Sequence, residues 1–203
     1  MQRDQRDARD QRVHSDVESR VLDAAKSCSL KWGARKVTID DIAAEAGVSR
    51  ATLYRMFPGG KDVLFDALRV RELEDFFTRM SADIDGHDDL EALLVRMVVA
   101  ATRELRTDEH LALMLAAEPG EVLGQLTVEG IPRILRVASV FLVPLVEQYL
   151  PREEATKVVE LLSRLVISYF LAPSDIVDFG DASSAREFIH TFLPAIQHSL
   201  TRS

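Results

Sequence analysis

Between Val48 and Gly60 the chain reads VSRATLYRMFPGG, with two arginines, three hydroxyl-bearing side chains and no carboxylate. Guanidinium groups pair with guanine edges or phosphate oxygens, and Ser, Thr and Tyr hydroxyls bond phosphates or bases. The set is suited to gripping a polyanion, not to making or breaking a bond. A helix that merely faced solvent would mix charges of both signs. Other chemistries have weaker footing. His14, His87, His110, His190 and His198 are scattered, and none stands in an HExxH or similar metal spacing. No G-x-S-x-G turn, Walker loop or dinucleotide fingerprint occurs. Cys28 is the one cysteine, which excludes an intramolecular disulfide and a cysteine-based zinc site. Its place on an apolar helix face makes it a small buried hydrophobe before a nucleophile. No catalytic residue, metal or cofactor is expected, and the chain reads as a non-enzyme. A helical adaptor for another protein is the second rival, and it predicts no salt-dependent DNA affinity.

Holding that set against a groove takes two helices locked at a fixed angle. Thr38–Phe57 reads TIDDIAAEAGVSRATLYRMF. Thr38 is a good N-cap, and Asp40 and Asp41 sit in the first turn where the helix dipole favours them. Ala43 is small where two helices cross, Gly47 supplies the positive φ of a tight turn, and Leu53 pins the second helix on the first. Ile39, Ile42, Ala46 and Val48 complete a small core. Ser49, Arg50, Ala51, Thr52, Tyr54, Arg55 and Met56 are left on the outer face and N-terminal half of the second helix. That is the part of a helix-turn-helix that faces the major groove.

The surrounding chain reads as helix throughout. Its 203 residues are 47% hydrophobic, enough for a real core, and carry a net charge of −8. The charge is unevenly spread: residues 1–61 hold a balance of +3, and residues 62–203 hold −11. A mildly basic front end on an acidic body can still meet DNA, because phosphate contact depends on a local face. No apolar run reaches the ~20 residues of a bilayer crossing, and the Arg/Asp-rich start is unlike a secretory signal, so a cytoplasmic protein with no membrane partner is expected. Residues 1–14 read as a flexible charged arm or a frayed helix extension; an arginine arm in a minor groove is the functional alternative, weakened by Asp4, Asp7 and Asp10. Ser15 and Glu18 have capping-box spacing and predict a first helix from Ser15 to Gly33. Pro58-Gly59-Gly60 is a turn before a long helix at about 61–83. Further helices are predicted at about 88–106, 109–117, 121–127, 130–149, 152–171 and 184–200, with Ser184 and Glu187 as a second capping box and Pro151 in a first turn. Pro144 and Pro194 should kink or split their helices. The fold class is all-α, with no alternating strand runs.

The motifs RVLDAAKS, a Gly at the helix end and VTIDDIAAEAGVSRATLYRMFPGGKDVLF, within about Arg20 to Leu64, resemble the TetR family of regulators. The resemblance implies nine to ten helices: an N-terminal DNA-binding domain (15–60) and a helical effector-binding and dimerisation domain (61–203). It implies that Thr38, Ser49, Arg50, Thr52, Tyr54 and Arg55 touch double-stranded operator DNA, and that Lys61 touches a phosphate. It places a homodimer seam on about 152–171 and 184–200, where Val158, Leu161, Leu162, Leu165 and Val166, then Phe188, Ile189, Phe192 and Ile196, form apolar stripes that core packing explains equally well. The family often has aromatics near Ser29 and just after Gly33; here Trp32 is the aromatic at hand, and Met56 stands where histidine or tyrosine is common.

The middle helices are rich in flexible and aromatic side chains. These read first as core, and the resemblance raises an apolar effector pocket to equal standing. Its candidate lining is Phe77, Met80, Met97, Met114, Phe141, Tyr169 and Phe170, with Arg103 and Glu118 as polar members. A small lipophilic effector acting by population shift through the fourth helix is the expected mechanism, with repression as the default outcome.

Overall fold

Residues 2–32 contain no Gly or Pro to stop a helix, and in a computed structural model they form one helix, α1 (Gln2–Trp32). The structure describes residues 2–84, 88–128 and 130–200, with side chains described over 15–84, 88–128 and 130–192. Ser15 therefore lies inside α1 and not at its start, which corrects the capping-box reading there. The minor-groove reading of the arm falls outside the described side chains. α1 ends at Gly33 (φ 83°), whose N–H donates to the Ser29 carbonyl at 2.8 Å.

α2 (Ile39–Ala46) starts on a reciprocal capping box. The Thr38 hydroxyl accepts from the Asp41 N–H at 3.2 Å, while the Thr38 N–H donates to the Asp41 carboxylate at 2.9 Å. Gly47 (φ 65°) closes the helix, and the Val48 N–H donates to the Ala43 carbonyl at 3.0 Å. α3 (Arg50–Met56) starts on Ser49, whose hydroxyl accepts from the Thr52 N–H at 3.0 Å. Gly60 (φ 69°) turns the chain into α4 (Lys61–Ala82).

The chain divides into two compact units, Met1–Glu72 and Leu73–Ser203, and α4 begins in the first and ends in the second. The first unit has its own core, in which Val21, Ala25, Cys28, Ile42, Leu53 and Leu64 are at most 1% exposed. Each of Val21, Ile42, Leu53 and Leu64 contributes roughly 1.5–3 kcal/mol by leaving water. Ser29 is buried, with its hydroxyl donating to the Lys26 carbonyl at 2.9 Å. Trp32 does not fill the neighbouring space: it is 48% exposed, with the Lys31 ammonium 5.9 Å from its ring.

The second unit adds α5 (Leu90–Thr107), α6 (Glu109–Ala117), α7 (Pro119–Leu126), α8 (Ile131–Val146), α9 (Arg152–Leu171) and α10 (Ala182–Leu200). The ten helices are joined by no strand among the described residues. α9 packs on α8 and α5, α5 packs on α10, and α6 packs on α7. α8 is not split at Pro144, and α10 runs through 194. The carbonyl that Pro144 cannot satisfy belongs to Val140, and both residues are exposed, so water can serve it. Pro151 precedes α9 and does not sit in its first turn. The cap of α10 is not Ser184: the Asp181 carboxylate accepts from the Ser184 N–H at 2.8 Å, and the Ser184 hydroxyl reaches back to the Asp178 N–H at 2.9 Å. No described helix is long and apolar enough to cross a membrane.

Candidate nucleic-acid interface

α3 buries one residue, Leu53, against α2 and leaves Arg50, Ala51, Tyr54 and Arg55 exposed. Thr52 and Met56 are half-buried at the edges of that face. The Ser49 and Thr52 hydroxyls lie 2.9 Å apart. Their mutual bond uses one proton, so the other hydroxyl keeps its hydrogen for an outside acceptor.

Arg50 is held from two sides. Its guanidinium lies 3.2 Å from the Asp40 carboxylate and 5.5 Å from the Tyr54 ring centre. Tyr54 in turn lies beside the Gly60 backbone, where an added Cβ would come within 3.4 Å of its ring. Arg55 makes no ion pair among the described residues. The other carboxylates of α2 are spent internally. Asp41 caps the helix, and the Thr38 hydroxyl and then the Thr38 N–H hold its carboxyl below the usual range. Glu45 accepts from Lys31 at 2.8 Å and from the Ser27 hydroxyl at 2.9 Å, which lowers its own pKa and raises that of Lys31.

Two residues implied by the resemblance are partly committed. The Thr38 hydroxyl donates to Asp41 at 2.6 Å, so its N–H and its O–H are both in use. The Lys61 ammonium donates to the Arg35 carbonyl at 3.0 Å and lies 5.8 Å from the Phe65 ring, which leaves two N–H donors. That bond brings the α1–α2 loop to the start of α4, together with the exposed cations Arg35 and Lys36. These two cations were not singled out from sequence; the signal was the basic pair in GARK, separated from the Thr38 cap by Val37 alone.

In the second unit a cavity of roughly 80 Å3 lies among α4, α5, α7, α8 and α9. Phe77, Met80 and Met97 line it, as expected from sequence. Phe141, Tyr169, Phe170, Met114, Arg103 and Glu118 stand outside its lining. Phe141 stacks on Phe77 at 5.8 Å, and Tyr169 joins an aromatic cluster with Phe179 at 4.6 Å. Arg103 donates to the Gly180 carbonyl at 3.2 Å and so anchors the loop before α10. Glu118 and Met114 lie at the α6–α7 junction, where the Glu118 N–H donates to the Met114 carbonyl at 2.7 Å. The wall also takes Leu73, Ala101, Leu105, Ile134 and Ser163, whose inward facing depends on how the helices rotate against one another.

The stripes on the last two helices divide. Val158, Leu162, Val166 and Ile189 are core, Leu165 and Phe188 are partly buried against it, and Leu161 and Phe192 are each 49% exposed. Ile196 lies outside the described side chains.

A three-helix core that presents a cationic, acid-free third helix defines an all-helical, helix-turn-helix DNA-binding protein. The profile of "Bacterial regulatory proteins, tetR family" matches residues 21–68. An uncharacterised helix-turn-helix transcriptional regulator of Mycobacterium tuberculosis is 35% identical over 133 residues, covering 62% of this chain and 68% of that protein. Among solved structures, the TetR family repressor AlkX from Dietzia sp., implicated in biodegradation of n-alkanes, superposes with a TM-score of 0.64 at 22% identity, covering 89% of this chain and 95% of that one. The TetR family transcriptional repressor QsdR of R. erythropolis superposes with a TM-score of 0.57 at 17% identity, covering 89% of this chain and 95% of that one. At such identities the two structures speak for the fold. The chain belongs to the TetR family of bacterial regulatory proteins and is a DNA-binding transcriptional regulator.

Proposed function

We propose that this protein is a homodimeric repressor that holds a palindromic operator and is released from it by a small, largely apolar effector. The exposed face of α3 carries the proposal: Arg50, Tyr54 and Arg55 project from a helix with no carboxylate of its own. In this reading Arg50 and Arg55 meet base edges or phosphates, Ser49, Ala51, Thr52 and Tyr54 complete the contact, and Thr38 and Lys61 fix the backbone, with Arg35 and Lys36 beside them. A single copy would hold one half-site weakly. Two copies on a two-fold axis would read half-sites about 34 Å apart or a multiple of that. Leu161 on α9 and Phe192 on α10, both apolar and half exposed, support a dimer seam on those helices.

The cavity in the second unit is the effector site of this reading. α4 carries Lys61 in its first turn and Leu73, Phe76, Phe77 and Met80 on the cavity wall further along. A ligand that favours one position of that helix would shift the population away from the DNA-competent state. A differential affinity of a few kcal/mol is sufficient. The likeness to a repressor implicated in n-alkane degradation supports an apolar effector class. The domain plan proposed is an arm at 1–14, DNA binding at 15–60 and the effector and dimer body at 61–203, in a cytoplasmic protein.

The test is selection of genomic fragments by the purified protein at physiological salt, repeated with Arg50→Ala and Tyr54→Ala. Enrichment of a palindrome by the native chain and its loss in both variants supports the reading. No enrichment, even after refolding to strip bound ligand, rejects it.

A further inference from the structure

We infer that Asp40 is a specificity-determining residue: together with Tyr54 it holds the Arg50 guanidinium so that Arg50 reads a guanine edge and not a phosphate. This rests on α3 being the helix that enters the major groove. Arg50 is the first residue of α3, and the N-terminal end of a recognition helix is the part that meets base edges. The Asp40 carboxylate comes from α2 and accepts from Nη1 of Arg50 at 3.2 Å. Both side chains are exposed, at 61% for Arg50 and 65% for Asp40, so the pair adds little to stability. What it does is orient. A guanidinium carries five N–H donors in a planar fork, and a bond from Nη1 leaves the two donors of the Nε–Nη2 edge unspent on Asp40. The Tyr54 ring centre lies 5.5 Å from Cζ, and Tyr54 is itself backed by Gly60, where an added Cβ would come within 3.4 Å of the ring. Held at one edge and against an aromatic ring, the guanidinium has given up in advance much of the rotamer freedom that binding would otherwise cost it.

An edge of two parallel donors matches the N7 and O6 acceptors of guanine. Adenine sets a donor beside its N7, thymine offers one acceptor and a methyl group, and cytosine offers a donor. A phosphate also accepts such a fork, but Asp40 opposes it. The carboxylate offsets the charge of Arg50 and repels a second anion brought to the same side chain. A neutral base edge meets no such repulsion. Arg55 is the contrast: it is exposed in the last turn of α3 and makes no ion pair among the described residues, so its full charge is left for the phosphate backbone.

The experiment is sequencing of random duplexes captured by the full-length protein, run in parallel for the native chain, Arg50→Ala, Asp40→Asn, Asp40→Ala and the Asp40→Ala/Arg50→Ala double variant. The native motif is expected to hold one position per half-site where guanine is favoured roughly tenfold or more, the worth of a bidentate contact. Arg50→Ala should lose the preference at that position and keep the others. Asp40→Ala should cut the guanine preference at the same position by about threefold or more while total DNA capture does not fall, and Asp40→Asn should do so less, since its amide oxygen still accepts. In the double variant the loss of Asp40 should add nothing at that position to the loss of Arg50, because it acts through that side chain. Replacing the guanine by 7-deazaguanine, which lacks the N7 acceptor, should weaken the native chain about tenfold and leave Arg50→Ala indifferent. An Asp40→Ala motif identical to the native one overturns the role of Asp40. Native indifference to 7-deazaguanine, or a loss in Arg50→Ala that is uniform across sequences, overturns the guanine contact. A native chain that enriches no sequence overturns this inference and the operator reading together. A native motif without two-fold symmetry fails the palindromic reading alone, and the guanine preference, scored position by position, still decides the role of Asp40.

Discussion

The Arg50 guanidinium of α3 lies 3.2 Å from the Asp40 carboxylate of α2. The pair spans the turn and aims the arginine while DNA is absent, yet Asp40 also places a negative charge beside any approaching phosphate. Asp40→Asn should therefore tighten non-specific DNA binding and steepen its salt dependence by about one phosphate contact. Its melting temperature should stay within a degree or so of the native value, since both partners are exposed and such pairs add little stability. Arg50→Ala should do the reverse, flattening the salt slope. Binding isotherms on random-sequence duplex across a salt series decide it; an unchanged slope in Asp40→Asn means the carboxylate does not restrain Arg50.

Gly47 is required by conformation and not by space. Its φ of 65° is left-handed, and a Cβ built there meets nothing within 4 Å. Gly47→Ala should cost about 1–2 kcal/mol, and Gly47→Asn clearly less, because Asn tolerates that region. Urea denaturation of the two variants would check this. Equal costs would point to a steric clash absent from the structure.

The Thr38–Asp41 box makes stability sensitive to acid. Asp41 titrates below its ordinary value, the Thr38 hydroxyl being the larger cause. A depressed folded pKa contributes stability that is complete above the unfolded value near ~4 and is lost as pH falls through the folded one. Melting temperature measured from pH 7 down to 3 should thus fall less steeply in Asp41→Asn than in the native chain. Thr38→Ala removes the capping hydroxyl and should cost about 1 kcal/mol at neutral pH.

Thr102 on α5 is 2% exposed, and its hydroxyl has no hydrogen-bond partner among the described residues. Thr102→Val keeps the shape and removes the orphaned group. It should raise stability by about 1 kcal/mol, read by thermal unfolding. A loss of similar size would reveal a partner for that hydroxyl.

Sequence by itself determined the elements that local rules govern. Thr38, Gly47 and Ser49 mark α2, its left-handed stop and the cap of α3, because capping and positive φ are decided within four residues. The 3.6-residue recurrence of apolar side chains placed α5, α6 and α9 within two residues of where they lie. Local spacing misled where a competing contact won. Ser15 has capping geometry on paper, but nothing upstream interrupts α1; Ser184 has it too, but Asp181 takes the cap. Rotation and pairing of helices were decided only in three dimensions. An aromatic or methionine recurring every three or four residues marks a buried face without naming what that face meets. The tertiary packing thus put Phe77, Met80 and Met97 on a cavity and turned Phe141 and Tyr169 into neighbouring aromatic contacts. It split the α9 stripe into buried Leu162 and half-exposed Leu161, adjacent residues about 100° apart around one helix. It also aimed Asp40 at Arg50, ten residues away along the chain, which required the angle between α2 and α3 that Leu53, Ile42 and Ala43 lock in place.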